Sequence, residues 1–349
     1  MNQTALLHIV ERLEGFLGKL PERIRRPVLS ELVPLKELFL QQRPPRFLFV
    51  GSSRMPMSQL VYTIFAAEKS DEITLAATPV HRWTEWKIDN HGLISILDAR
   101  DADGVANSEI EKDLERESAD IVFVVDEGKT DLEKIPAGSK IVGICVGDEE
   151  RAEKLEGSFR RNKSTRDRVV KVVRFHEKQS AEMRRLMSAL TQELPNEAKI
   201  EMIRISRDRE AQHHVAHILV KSTTAICTAV GAQPIPLADM PILTTLQLVM
   251  VSGIMYVSGR ERSLRAATEF VTALGANLGI GMLLREGARA LLKFFPGWGN
   301  VICGMVAGAG TYAIGRAATA FFIEGVSLKD ARRTYLRSRK KQANRALQP

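Results

Sequence analysis

The hydrophobic pattern divides the chain into segments with different periodicity. Residues 1–42 carry apolar positions at helical spacing, interrupted by Pro21 and Pro27, and this pattern predicts two amphipathic helices. Residues 43–196 alternate short apolar runs with amphipathic stretches, which predicts strands and helices in turn. The expected fold of this domain is therefore α/β, a mainly parallel sheet with flanking helices.

The rest of the chain predicts an all-α domain over residues 197–325 and a basic tail over 326–349. The tail contains eight Lys or Arg and one Asp, so it contributes +7 of the formal net charge of +8. Two stretches without charged side chains, 240–259 and 294–315, approach the length of about 20 residues that a membrane span needs. We therefore expect membrane insertion or peripheral association through residues 238–325, with a tightly packed soluble helical bundle as the alternative.

The candidate chemistry lies in the segment Gly51-Ser-Ser-Arg-Met-Pro-Met-Ser58, between the first predicted strand and the next helix. A strand, a glycine turn and a helix that begins near Ser58 have the layout of a phosphate-binding P-loop, G-x-x-x-x-G-K-[ST]. Pro56 stands at the second glycine and Met57 at the lysine. The loop therefore lacks an amide donor and the cation that contacts the β and γ phosphates.

The predicted nucleotide-binding residues come from this loop and from the end of a later strand. They are Gly51, Ser52, Ser53, Arg54, Ser58 and Asp98. Ser58 and Asp98 would hold Mg²⁺ only if a nucleotide binds, and GTP with Mg²⁺ is the one cofactor that the sequence indicates. Asp98 has a second interpretation, as a residue that simply ends a strand. No residue is assigned a catalytic role.

The order of these elements resembles the G domain of Era/TrmE-type GTPases. Residues 51–58 stand at the first nucleotide motif and Thr78 lies in the region of the switch threonine. Asp98-Ala-Arg-Asp101 stands where that group has Asp-x-x-Gly, and Val146-Gly-Asp-Glu149 stands at the guanine-reading Asn-Lys-x-Asp. Of these two motifs only Asp98 matches. The resemblance implies a P-loop GTPase-like fold, and the departures imply that GTP hydrolysis is lost.

Residues 211–325 resemble the helical domain of unknown function 697, which follows Era-like G domains in bacterial proteins. The matching stretches are Ala229-Val-Gly-Ala-Gln-Pro-Ile-Pro236, Gln247-Leu-Val-Met250, Lys293-Phe-Phe-Pro-Gly-Trp-Gly299 and Ala307-Gly-Ala-Gly-Thr-Tyr-Ala-Ile-Gly315. Some members of that family are described as membrane proteins. The resemblance thus implies a bacterial protein on the cytoplasmic side of the inner membrane, associated with it or inserted in it.

Two further observations bear on the compartment. The three cysteines lie in separate apolar runs, which is typical of buried thiols in a reducing compartment. Glu11 and Glu14 interrupt the apolar run that a secretory signal would need, so none is expected.

The expected function is a membrane-associated, pseudo-GTPase-like scaffold or regulatory protein that lacks GTP hydrolysis and has a protein partner, with an active GTPase as one candidate. The alternative is a weak GTP-binding NTPase with a non-standard P-loop. Nucleic-acid binding through the basic tail is a third, less favoured class.

Overall fold

The computed structural model describes residues 22–39, 42–52, 55–65, 73–75, 81–88, 92–102, 104–126, 135–175, 181–232, 239–275 and 298–346. The chain splits into two compact units, an α/β unit (Gln42–Asp208) and a helical unit (Met1–Gln41 with Arg209–Pro349). The expected fold class, an α/β sheet domain with a separate all-α region, is confirmed.

The described elements are, in chain order, α1 (Glu22–Phe39), β1 (Arg46–Ser52), α2 (Met57–Phe65), β2 (Ile73–Leu75), β3 (Thr84–Ile88), β4 (Gly92–Asp98), α3 (Gly104–Arg116), β5 (Ile121–Asp126), β6 (Lys140–Cys145), α4 (Glu149–Arg161), β7 (Val169–Arg174), α5 (Ala181–Glu193), α6 (Asn196–Ser206), α7 (Arg209–Gly231), α8 (Asp239–Val257), α9 (Leu264–Leu274), α10 (Trp298–Phe322) and α11 (Leu328–Ala346).

The α/β unit contains a seven-stranded sheet of order β2-β3-β4-β1-β5-β6-β7. Strands β4, β1, β5, β6 and β7 are parallel, whereas β3 is antiparallel to both β2 and β4. Strands β3 and β4 form an antiparallel pair, in register from Thr84 opposite Ile96 to Ile88 opposite Gly92. The sheet is therefore mainly parallel, with one antiparallel edge.

Alternate side chains of each central strand build two separate cores, one on each face of the sheet. Phe47 and Phe49 of β1 belong to the core that α2, α5 and α6 cover, and the Phe49 ring stacks on Phe123 with centroids 4.8 Å apart. Leu48 and Val50 belong to the opposite core, which α3 and α4 cover. The helix after β1 and the helix after β4 thus lie on opposite faces of the sheet.

The boundary between the units lies after residue 208, whereas the sequence predicts it near 196. Helix α6 belongs to the α/β unit because Ala198, Met202 and Ile205 are buried in its core. Pro195 separates α5 from α6 and serves as the N-cap residue of α6. The sequence predicts the N-terminal helices and the basic tail as separate segments, whereas α1 and α11 fall within the helical unit.

The helical unit is held by close contact between α7 and α10. A Cβ atom added to Gly304 of α10 would lie 2.7 Å from the Thr228 carbonyl oxygen of α7, so only glycine allows this approach. Between α8 and α10, Gln247 Nε2 donates to Thr311 Oγ1 at 2.9 Å. Small and polar side chains therefore sit where the sequence suggests apolar spans.

No helix in the part of the chain that the structure describes is long and apolar enough to cross a membrane. The two stretches that the sequence suggests as spans, 240–259 and 294–315, correspond largely to α8 and α10, and residues 294–297 lie outside the described residues. Both helices bury side chains inside the helical unit. Membrane association through residues 238–325 stays a prediction.

Candidate functional site

The carboxyl ends of β1 and β4 are the place where this sheet is expected to hold a ligand. The two strands are neighbours, and the helices that follow them leave toward opposite faces. In open α/β sheets ligands bind at such a switch point. Backbone hydrogen bonds join the two strand ends, from Ala99 N to Phe49 O at 2.8 Å and from Asp101 N to Gly51 O at 3.1 Å. Gly51 and Asp98 are thus brought to one edge, as the sequence predicts.

Gly51 is required by the sheet itself. Its φ of +104° lies in the region that favours glycine, and an added Cβ would overlap the carbonyl oxygen of Val125 on β5. Strand β1 continues through Ser52, which is in register with Asp126. The first glycine of the P-loop-like pattern therefore has a structural cause that is independent of phosphate binding.

The position of the P-loop lysine is taken by a side chain that packs into the protein. Met57 is the first residue of α2 and is half-buried against the core beneath that helix, as is Met55 just before it. The Pro56 carbonyl oxygen accepts hydrogen bonds from Gln59 N at 3.0 Å and Leu60 N at 3.2 Å. Ser58, the predicted magnesium ligand, is exposed in the first turn of α2. The described part of this loop thus provides no cation for phosphates.

Arg100 places a cation at this edge, and sequence reasoning missed it. Its Nε donates to Asp98 Oδ1 and its Nη2 to Asp98 Oδ2, both at 2.8 Å. Its Nη1 donates to the carbonyl oxygen of Met55 at 2.7 Å, which joins the β4 end to the loop after β1. The Arg100 side chain is only 8% exposed, against 39% for Asp98. We call this group of contacts the Arg100 clamp.

The turn after β4 explains why Arg100 reaches this position. Asp98 Oδ1 also accepts from the backbone N of Arg100 at 3.2 Å, and Asp101 adopts a left-handed backbone with a φ of +52°. His81 Nδ1 lies 3.1 Å from the Asp98 carbonyl oxygen and supports the turn from the β3 side. The only signal for the clamp in the sequence is the spacing Asp98-Ala-Arg100 at a strand end.

The remaining predicted positions have different outcomes. Ser53, Arg54 and Thr78 lie outside the described residues, so their roles stay predictions. Asp148, in the segment compared with the guanine-reading motif, is the N-cap of α4, where its side chain accepts from Arg151 N at 3.0 Å. Helix capping therefore explains the Asp148 carboxylate without a role in recognition of a guanine base.

Sequence reasoning missed one acidic residue at the carboxyl edge, Asp126. Asp126 ends β5, is only 7% exposed, and pairs in register with Ser52 on one side and Cys145 on the other. Burial and, to a smaller extent, the charge of Asp126 raise the pKa of the Cys145 thiol. Its signal in the sequence is an aspartate that directly follows the apolar run at 121–125.

The Asp98 carboxylate is already paired within the protein. Both oxygens of the Asp98 carboxylate face the Arg100 guanidinium, and Met57 faces the core. Among the described residues there is no group of three or more His, Cys, Asp or Glu side chains that could hold a metal ion. The arrangement fixes two loops at the carboxyl edge through charge pairing, which is a structural task.

Comparison with known proteins adds no family assignment. No protein-family model matches the sequence, and no curated protein is similar enough to count as a relative.

Proposed function

We propose that this chain is a non-hydrolysing, P-loop GTPase-like scaffold or regulatory protein that associates with a membrane surface and with a protein partner. The observation that carries the non-hydrolysing part of the proposal is the Arg100 clamp. A guanidinium of the chain itself binds the carboxylate that would hold a magnesium-bound water and the carbonyl of the loop that would surround a phosphate. In this proposal the α/β unit presents a binding surface to a partner and does not catalyse a reaction.

Three features of the loop support the absence of phosphate chemistry. Proline at position 56 has no amide to donate, methionine at 57 supplies no charge, and that methionine packs against the core. P-loop hydrolysis depends on electrostatic stabilisation by the lysine and by a metal ion. A site without either group is not expected to accelerate phosphoryl transfer.

A weak nucleotide-binding protein is the second candidate, because Arg100 is itself a cation at the ligand position of the sheet. Arg binds phosphate oxygens through paired hydrogen bonds, as it binds Asp98 here. A nucleotide would then have to displace the Asp98 carboxylate from the guanidinium. This exchange predicts weak binding that is sensitive to substitution of Arg100.

The test is binding and hydrolysis of fluorescently labelled GTP and ATP by the full chain, with Mg²⁺ and nucleotide up to about 1 mM, the upper end of usual enzyme substrate affinities. The proposal expects neither saturable binding nor phosphate release. Micromolar binding that is lost in Arg100→Met would favour the weak nucleotide-binding protein instead.

A restored variant tests whether the fold, as distinct from the chemistry, is that of a P-loop protein. Pro56→Gly, Met57→Lys and Arg100→Ala together return the glycine and the lysine to the loop and release the clamp. We expect this variant to gain nucleotide binding that the wild type lacks. If it folds, as judged by circular dichroism, and gains none, the GTPase-like part of the proposal is wrong.

A further inference from the structure

Helix α11 is anchored on the helical unit by one of its sides. Ala331 and Tyr335 are buried, at 0% and 6% exposure, where α11 packs against α10. Its first turn is capped, since Ser327 Oγ accepts from Asp330 N at 3.2 Å and donates to Asp330 Oδ2 at 2.7 Å. The basic C-terminal segment is therefore an ordered helix with a fixed orientation on α10.

The opposite side of α11 carries a row of exposed cations. Lys329, Arg333, Arg337 and Lys340 follow one another at spacings of four, four and three residues, and all are exposed. Residues at these spacings share one face of a helix. We call this surface the basic face of α11. It extends for about 16 Å, at 1.5 Å per residue between its first and last members.

The basic face is poorly neutralised by the protein itself. The only carboxylate on α11 is Asp330, whose ion pair with Arg333 has an N···O distance of 3.3 Å. None of Lys329, Arg337 and Lys340 forms an ion pair with another described residue. Three cations of the row thus remain available to an external anion.

An apolar side chain stands in the middle of this row. Leu336 is 54% exposed, the largest exposure among the described large hydrophobic residues. A helix with exposed cations and a protruding leucine on the same outward face suits a membrane interface, where the cations meet headgroup phosphates and the leucine enters the headgroup boundary. A nucleic-acid backbone would satisfy the cations but offers no apolar layer for the leucine.

We infer that the basic face of α11 binds the anionic phospholipid headgroups of a membrane surface. The inference rests on the membrane association in the proposed function, and it places the contact on α11, outside the range 238–325 that the sequence suggests. The helix would lie along the surface with Lys329, Arg333, Arg337 and Lys340 toward the headgroups. The side that packs on α10 stays covered.

The test is co-sedimentation of the full chain with vesicles of phosphatidylcholine alone or with about 30% phosphatidylserine, at low and physiological salt. The key variant is Arg333→Gln/Arg337→Gln/Lys340→Gln. Its matched control is Lys112→Gln/Arg116→Gln/Lys163→Gln, which removes the same charge from exposed positions of the α/β unit. All six side chains are exposed, so both variants should keep the circular dichroism spectrum of the wild type.

We expect the wild type to bind the anionic vesicles and not the neutral ones. The α11 variant should bind about a hundredfold more weakly, on the basis of the usual contribution of each cation near an anionic surface. The control should bind like the wild type. Leu336→Ala should weaken vesicle binding by about tenfold, because the leucine loses apolar contact with the lipid.

Each other outcome contradicts the inference in a different way. Anionic vesicle binding that the α11 variant keeps would remove α11 from the contact and leave the proposed membrane association standing. No vesicle binding by the wild type would overturn both. Binding to duplex DNA or RNA in place of vesicles, lost in the α11 variant and unaffected by Leu336→Ala, would assign the basic face to nucleic acid.

Discussion

Replacement of Arg100 by methionine tests whether the clamp holds the carboxyl edge together. Methionine keeps most of the aliphatic length and removes three side-chain hydrogen bonds, two to Asp98 and one to the Met55 carbonyl. The loop after β1 would lose its side-chain connection to the end of β4. The Asp98 carboxylate would lose its cation.

The expected loss of stability follows from the exposure of the two partners. Hydrogen bonds to charged groups contribute about 1.5–3 kcal/mol each, but they act here as one unit and their sum overestimates the effect. The Arg100 side chain is 8% exposed, whereas Asp98 is 39% exposed and can regain water once it is released. We therefore expect Arg100→Met to lower the free energy of unfolding of the α/β unit by about 2–3 kcal/mol.

The assay is urea unfolding followed by tryptophan fluorescence in a Trp298→Phe background. Trp83 and Trp86 then report on the α/β unit alone. The control is Arg161→Met, an exposed arginine of α4 for which we expect a change of less than about 0.5 kcal/mol.

A double-mutant cycle with Asp98→Ala isolates the ion pair, and we expect a coupling energy of about 1–2 kcal/mol. If Arg100→Met changes stability no more than Arg161→Met, or if the two substitutions are additive, the clamp does not hold the edge.

Two further predictions concern the helical unit. Gly304→Ala should destabilise it by about 1–3 kcal/mol, because the added Cβ meets the Thr228 backbone. Gly310→Ala on the same helix is the control: its added Cβ meets nothing, and it should stabilise the unit by about 0.5–1 kcal/mol. Equal effects of the two substitutions in thermal unfolding would contradict the close α7–α10 contact. Burial raises the pKa of Cys227 to about 12, so in a Cys303→Ser background no native thiol should react with Ellman's reagent at pH 8. Stability should also fall above pH 9, where the unfolded thiol ionises first.

The strand pattern of the α/β unit could be predicted because its signals are local. The apolar runs at 47–50 and 121–125 become β1 and β5. The carboxyl edge follows from these strands by the general geometry of parallel sheets. That reasoning placed Gly51 and Asp98 together correctly.

The clamp could not be predicted because its partners are brought together only by the fold. Met55 and Arg100 are far apart in the sequence, and the guanidinium bonds a backbone carbonyl, which no sequence pattern encodes. The uncharged stretches of the helical unit are ambiguous for a related reason. Burial inside a helix bundle and burial in lipid select similar residues, and the two differ only in what covers the helix.

Met57 and Arg100 together account for the packing and the charge pairing at this edge of the sheet. Without a neighbouring positive charge, the Asp98 carboxylate would depend on water for its solvation, since its side chain is 39% exposed. Arg100 supplies that charge from within the chain, and Met57 fills the space beside the core with an apolar side chain. In the proposed function, Asp98 therefore pairs with Arg100 in place of a magnesium-bound water. In the proposed scaffold role, this charge pair would hold the ends of β1 and β4 together and give a partner a constant surface.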